Sequence, residues 1–224
     1  MPTVKTTLPE IVVLISGSGS NLQAIIDQIE NGSLHASIVA VISNKPNVKG
    51  LERAQHHGIP AHVLDHTQFD DREAYDQALQ ALIDQFNPKL IILAGFMRIL
   101  SKSFVKHYQG KMLNIHPSLL PKHKGLHTHA RAIEAGDEEH GCSVHFVTPE
   151  LDGGPIVGHR KVTIKAHDTE DSLAKRVQQQ EHMLYPLCAK LFVDGRLTLT
   201  QAGPTLDGIT IIEGGLDLTD TDDL

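Results

Sequence analysis

The chain has no tryptophan, two cysteines and only 4% aromatic residues among its 224 positions. Cys142 and Cys188 lie far apart with no Cys-x-x-Cys pair, so they read as free thiols of a reducing cytosol and not as a structural disulfide. Neither sits in a nucleophile motif. Long apolar runs are missing as well: the first, Ile11–Ile15, falls far short of the ~18 residues that span a bilayer. Met1–Glu10 has the shape of neither a secretory signal nor an Arg-rich transit peptide and reads as a mobile leader. A cytoplasmic protein without a membrane partner is expected. Positive charge is not in excess, since Lys and Arg number 20 against 27 Asp and Glu, a net charge of −7. Asp217, Asp220, Asp222 and Asp223 crowd into the tail. That balance argues against a nucleic-acid partner, which requires concentrated Lys and Arg.

What is present is an ordinary globular composition, 40% hydrophobic and 21% charged, with an unusual 15 histidines. Strand and helix patterns alternate. Ile11–Ser16 is a continuous apolar run that suggests a strand buried on both faces, and Asn21–Glu30 follows with apolar residues at helical spacing. Ser37–Ile42, Pro60–Leu64, Leu90–Ala94 and Met112–Ile115 read as further strands. Gly50–His57 and Asp71–Phe86 read as the helices between them, the second capped by Asp70 or Asp71. This alternation predicts an α/β fold, an open, mostly parallel, doubly wound Rossmann-like sheet flanked by helices. Ser143–Thr148 and Ile156–Ile164 read as longer strands of antiparallel type, and Thr169–Phe192 as a long helix. The expected organisation is a leader over 1–10, one domain over 11–195, and a β-rich extension over 196–224 with a frayed acidic end.

Two stretches carry chemistry. Gly17-Ser18-Gly19-Ser20-Asn21 joins the first strand to the first helix, where main-chain N–H groups at a helix start form an anion site. Leu22 replaces the third glycine of a dinucleotide fingerprint, and Ser43-Asn44-Lys45 supplies no ribose-binding acid, so a single phosphate fits better than a pyrophosphate. A tight turn with a Ser or Asn cap and no ligand is the alternative. In Leu113-Asn114-Ile115-His116-Pro117, strand alternation puts Asn114 and His116 on the same side, at the carboxyl edge where open α/β sheets bind ligands. Histidine can move a proton near neutrality, and an Asn amide can donate to a developing oxyanion. The pair suits acyl transfer without a covalent intermediate. The bland alternative is an Asn and a His that satisfy loop carbonyls.

Together with these stretches, Leu93–Leu100 (LAGFMRIL), Leu113–His129 (LNIHPSLLPKHKGLHTH), His140–Ile156 and Arg176–Pro186 resemble the phosphoribosylglycinamide formyltransferases, a folate-dependent family. The likeness runs from about Ile11 to Arg196. It implies the formyltransferase fold, and transfer of the formyl group of 10-formyltetrahydrofolate to the amine of 5′-phosphoribosylglycinamide in purine biosynthesis. Tetrahydrofolate and formylglycinamide ribonucleotide are the products. The resemblance assigns catalysis to Asn114, His116 and Asp152. It assigns the ribonucleotide to Gly19, Ser20, Asn21, Gln178, Gln179, Gln180 and Glu181. It assigns the folate to Arg72, Met97, Arg98, Ile99, Leu100, Thr148, Pro149, Glu150, Leu151 and Asp152, with Asn114 shared. It implies no metal and leaves a monomer or a homodimer open. On its own, Asp152-Gly153 reads as a hairpin turn.

Beside an imidazole, the Asp152 carboxylate favours the charged ring, and it can relay the amine proton to the leaving nitrogen. His123, His127 and His129 sit in a Lys- and Gly-rich stretch that reads as a mobile loop closing over substrate more than as a zinc site. His145 faces the site, the core or the surface. Relatives that hydrolyse formyltetrahydrofolate or formylate methionyl-tRNA would carry an extra domain or a basic surface, and this acidic chain leaves room for neither. A non-catalytic nucleotide-binding module would explain the glycine loop, but not Asn114, His116 and Asp152 together.

Overall fold

Glu10–Ile15 (β1) shows how the sequence builds the core. Ile11, Val13 and Ile15 enter one apolar cluster, while Val12 and Leu14 enter another, and all five are fully buried. A strand with both faces covered has to be apolar at every position. The computed structural model describes residues 7–221, so most of the expected leader, together with Asp222 and Asp223, lies outside the described residues. Glu10, assigned to the leader from sequence, is the first residue of β1 and pairs with Ser37.

The chain continues through α1 (Ser20–Glu30), β2 (Ser37–Ser43), α2 (Lys49–His56), β3 (Ala61–Val63), α3 (Arg72–Asp84), β4 (Leu90–Leu93), α4 (Lys102–His107) and β5 (Met112–His116). Then come α5 (Thr128–Glu134), β6 (Glu139–Phe146), β7 (Ile156–Thr163) and α6 (Glu170–Val193), and finally β8 (Leu197–Thr200), β9 (Gly203–Leu206), β10 (Ile209–Thr210) and β11 (Leu216–Asp217). The main sheet has the order β11-β7-β6-β5-β4-β1-β2-β3. β3, β2, β1, β4 and β5 run parallel, whereas β6 is antiparallel to both β5 and β7. The fold is thus α/β, with a mostly parallel central sheet flanked by helices. On one face α1, α2 and α6 pack against Ile11, Val13 and Ile15; on the other, α3 and α4 pack against Val12 and Leu14.

α6 crosses behind the strands that carry the site. The buried Tyr185 hydroxyl lies 2.7 Å from the Leu113 carbonyl of β5 and 3.0 Å from the Leu93 carbonyl of β4. It serves carbonyls of two neighbouring strands, and burial holds its phenol well above the ordinary range.

Several elements differ from the sequence reading. The helix expected over 71–86 is Arg72–Asp84, with the Asp71 carboxylate accepting from Ala74 N–H at 2.8 Å. α1 starts at Ser20 after Gly19, without a side-chain cap, which corrects the Ser or Asn cap of the ligand-free alternative. α4 and α5 leave no periodic signal in the sequence: six and seven residues are too few for apolar periodicity to show. β6 begins at Glu139, ahead of the expected Ser143, because pairing with β7 recruits polar residues.

The expected frayed end is corrected up to Thr221. The buried Arg160 guanidinium donates to the carbonyls of Thr219 and Thr221, each at 2.8 Å. β11 pairs in parallel with β7, and Asp217 meets Lys161 at 2.8 Å, which holds the Asp217 carboxyl below its usual range. β8–β10 form a separate three-stranded sheet.

Candidate active site

β5 ends in the residues that matter. Asn114 and His116 alternate onto the same side, and the antiparallel register sets Asn114 opposite His145 and His116 opposite Ser143. The Asn114 amide nitrogen lies 3.1 Å from His145 Nε2. His145 Nδ1 lies 2.9 Å from the Phe146 carbonyl, so Nδ1 carries the proton and Nε2 accepts from Asn114. Burial pushes the His145 imidazole down and keeps it neutral, against the pull of the Phe146 carbonyl and of Asp152. One amide hydrogen of Asn114 is therefore fixed on His145 while the other points away from it.

Asp152 reaches the same place from the turn before β7. Its Oδ2 lies 3.4 Å from His116 Nδ1 and accepts the Gly125 N–H at 2.9 Å, and its Oδ1 lies 3.9 Å from His145 Nε2. The side chains of His116 and Asp152 are 8% and 9% exposed, so their interaction is poorly screened by water. His116 Nε2 lies 3.0 Å from the His123 carbonyl. Both ring nitrogens thus face oxygen atoms. Asp152 sits in the left-handed region at φ 46°, and a side chain at Gly154 would collide with the Phe146 carbonyl oxygen. The Asp-Gly-Gly turn is therefore held in a conformation that aims the carboxylate inward.

The glycine loop follows β1, on the other side of β4 from β5 in the main sheet. Gly19 has φ 70°, and a side chain there would strike the Gly50 backbone. Ser20 Oγ accepts from Gln178 at 3.2 Å, and the buried Asn21 donates to Glu181 Oε2 at 2.8 Å, leaving Asn21 Oδ1 without a partner among the described residues. Burial raises the Glu181 carboxyl, and the Asn21 amide opposes that shift. Gln178 and Glu181, one helical turn apart, face the loop. Gln180 does not: its carboxamide oxygen is held by Arg160 at 2.9 Å. Gln179 is exposed.

Most of the remaining predicted residues border a cleft, but Arg72 and Met97 do not. Phe96, Arg98, Ile99, Leu100, Asn114, His145 and the whole segment Val147–Asp152 line one cavity. Leu151 of this lining is 51% exposed, and Met97, outside it, is 64% exposed. Arg98 stacks on the Tyr75 ring at 4.5 Å, and its Nε has no hydrogen-bond partner among the described residues. Glu150 pairs with Lys124 at 2.8 Å, and Arg72 is exposed at the start of α3.

Residues 9–188 match the formyl transferase family. The chain is 57% identical to phosphoribosylglycinamide formyltransferase of Escherichia coli, over 88% of this chain and 93% of that one. The chain belongs to the phosphoribosylglycinamide formyltransferase family. It is an enzyme, a formyltransferase. It is also 44% identical to a chicken trifunctional purine biosynthetic protein, of which it spans 20%. Its structure matches the Coxiella burnetii phosphoribosylglycinamide formyltransferase with a TM-score of 0.91 at 49% identity, covering 94% of this chain and 99% of that one.

Within this formyltransferase, the residue that the sequence left undecided is His145. Its partner Asn114 was legible, but only the β5–β6 register sets the two opposite each other. The stretch expected to be a mobile histidine loop is tied down in this structure. Lys122 and His123 both bind Asp137, at 2.8 and 2.6 Å, and Arg131 holds the Lys124 carbonyl at 2.7 Å. His129 lies on α5, 3.1 Å from the buried His140. Among the described residues no group of three or more His, Cys, Asp or Glu could hold a metal ion.

Proposed function

We propose that this formyltransferase moves the formyl group of 10-formyltetrahydrofolate to the amine of 5′-phosphoribosylglycinamide, in one direct transfer. The observation that carries the reading is the convergence of Asn114, His116 and Asp152, braced by His145, at the edge of the cleft that Asn114, His145 and Asp152 help to line. The orphaned Asn21 Oδ1 and the half-buried Glu181 suit a phosphorylated, hydroxylated sugar. The cleft of Phe96, Ile99 and Leu100, with the main chain of Met97–Leu100 and of Thr148–Asp152 at its edge, suits a flat heteroaromatic ring. Exposed Arg72 suits a glutamate carboxylate at the far end.

Transfer requires that the amine bond to the formyl carbon, that the folate nitrogen leave, and that one proton pass from the first nitrogen to the second. Asn114, with one amide hydrogen fixed on His145, directs the other at the oxygen where charge develops. An oxyanion is a stronger acceptor than the neutral His123 carbonyl, so it draws the His116 Nε2–H to itself. Asp152 balances the imidazolium through Nδ1 and accepts the amine proton for delivery to the leaving nitrogen.

The test follows folate absorbance with both substrates present. Turnover that depends on the amine is expected. Asp152→Asn should lower kcat by about 10² or more, in line with the usual worth of a proton-transfer group, while KM for each substrate moves only a few fold. Unchanged turnover in that variant would remove Asp152 from the chemistry. Turnover without the amine would mean hydrolysis, and no turnover at all would mean a binding module.

A further inference from the structure

The phosphate reading leaves open how the glycine loop keeps its N–H groups turned toward an anion. Three successive carbonyls of the loop are all held from outside it. Gly17 O accepts from Gly50 N–H at 3.0 Å, Ser18 O from Arg53 Nε at 2.9 Å, and Gly19 O from Gln23 N–H at 2.9 Å. The first two donors belong to α2. A trans peptide directs its C=O and N–H to opposite sides. A carbonyl drawn onto α2 therefore turns the N–H of the next residue away from α2. Gly50 sets the Ser18 N–H in this manner, and Arg53 sets the Gly19 N–H. Among the described residues these two N–H groups donate to no protein acceptor.

Arg53 is fixed for the task. Its Nη1 donates to Gln23 Oε1 at 3.1 Å, and Gln23 in turn reaches Asp27 at 2.8 Å. Gly19 packs so closely on α2 that an added Cβ would lie 3.4 Å from Arg53 Cδ.

We propose that Arg53 is a positioning residue for the phosphate of the amine substrate, acting through the Ser18–Gly19 peptide. The proposal rests on the reading of the loop as a phosphate cradle. Without the Arg53 hydrogen bond, the peptide is free to rotate and present its carbonyl oxygen to the anion, which repels it.

A pair of substitutions separates this role from simple charge attraction. Glutamine carries its amide nitrogen at the same number of bonds from Cα as Arg Nε, but without charge. Steady-state kinetics at saturating 10-formyltetrahydrofolate would compare 5′-phosphoribosylglycinamide with its riboside, which lacks the phosphate. Wild type should show a lower KM for the phosphorylated amine. Arg53→Ala should raise that KM about tenfold, the usual order for a lost hydrogen bond from a charged donor, with kcat within about twofold and the riboside KM unmoved. Arg53→Gln should bring the KM back to within about threefold of wild type. Arg53→Gln that behaves like Arg53→Ala would overturn the positioning role in favour of charge. An equal KM rise for both amines, or a fall in kcat alone, would overturn it in favour of general loss of structure. A wild type that does not distinguish the two amines would remove the phosphate reading itself and the inference with it. A wild type that does distinguish them, beside an unaffected Arg53→Ala, would sink the inference alone.

Discussion

Acid should weaken this protein through His140, a residue that the chemistry does not use. His140 lies in β6 with 1% of its surface exposed, and its Nε2 is 3.1 Å from His129 Nδ1. The His123 ring stands 6.1 Å away between centroids. Burial first, and then the neighbouring His129 and His123, push the imidazole from its ordinary 6.5 to about 4, with Asp137 opposing. The sign follows from the proton balance. Below pH ~6.5 the unfolded chain binds a proton at His140 that the folded chain refuses until pH ~4. Stability is therefore complete above ~6.5 and is lost as pH falls toward ~4. Between pH ~7.5 and ~4.5 the loss from this one group comes to about 2.5 kcal/mol. His129, also pushed down by burial, adds to it in the same direction. Urea unfolding at these two pH values would measure the loss. With a slope of ~2–3 kcal/mol per molar, the midpoint difference owed to His140 is about 1 M. His140→Gln removes the titrating group, so its midpoint should fall by about 1 M less over the same pH interval, whatever its stability at neutral pH. Equal pH dependence of the two proteins would refute the reasoning.

Two further outcomes follow from packing. Gly154→Ala should shift the turn that carries Asp152, because the added methyl group meets the Phe146 carbonyl; a displacement near 1 Å lowers turnover by about 10², and wild-type turnover would show that the turn does not fix the carboxylate. Tyr185→Phe should lower stability by about 1–2 kcal/mol in urea unfolding, since it leaves the Leu93 and Leu113 carbonyls without their shared donor, and an unchanged midpoint would show that they find another.

The amino-acid sequence by itself determined the layered fold and half of the site. Apolar runs such as Ile11–Ile15 leave little choice but strands covered on both faces, and strand period two forces Asn114 and His116 to one side. The glycine loop is legible for the same local reason: it lies where a strand becomes a helix, and its N–H groups lack helical partners. Those features depend only on neighbours a few residues away. Tertiary structure alone decided that His145 would brace Asn114, because a β5–β6 register joins residues 31 positions apart. It also decided that Gln180 would serve Arg160 while Gln178 and Glu181 turn to the loop, since helix rotation is set by what α6 packs against. Asp152 belongs to both levels. Its Asp-Gly-Gly turn is visible in the sequence, but its meeting with His116 is a product of chain folding, with two positions 36 apart brought together by β6 returning along β5.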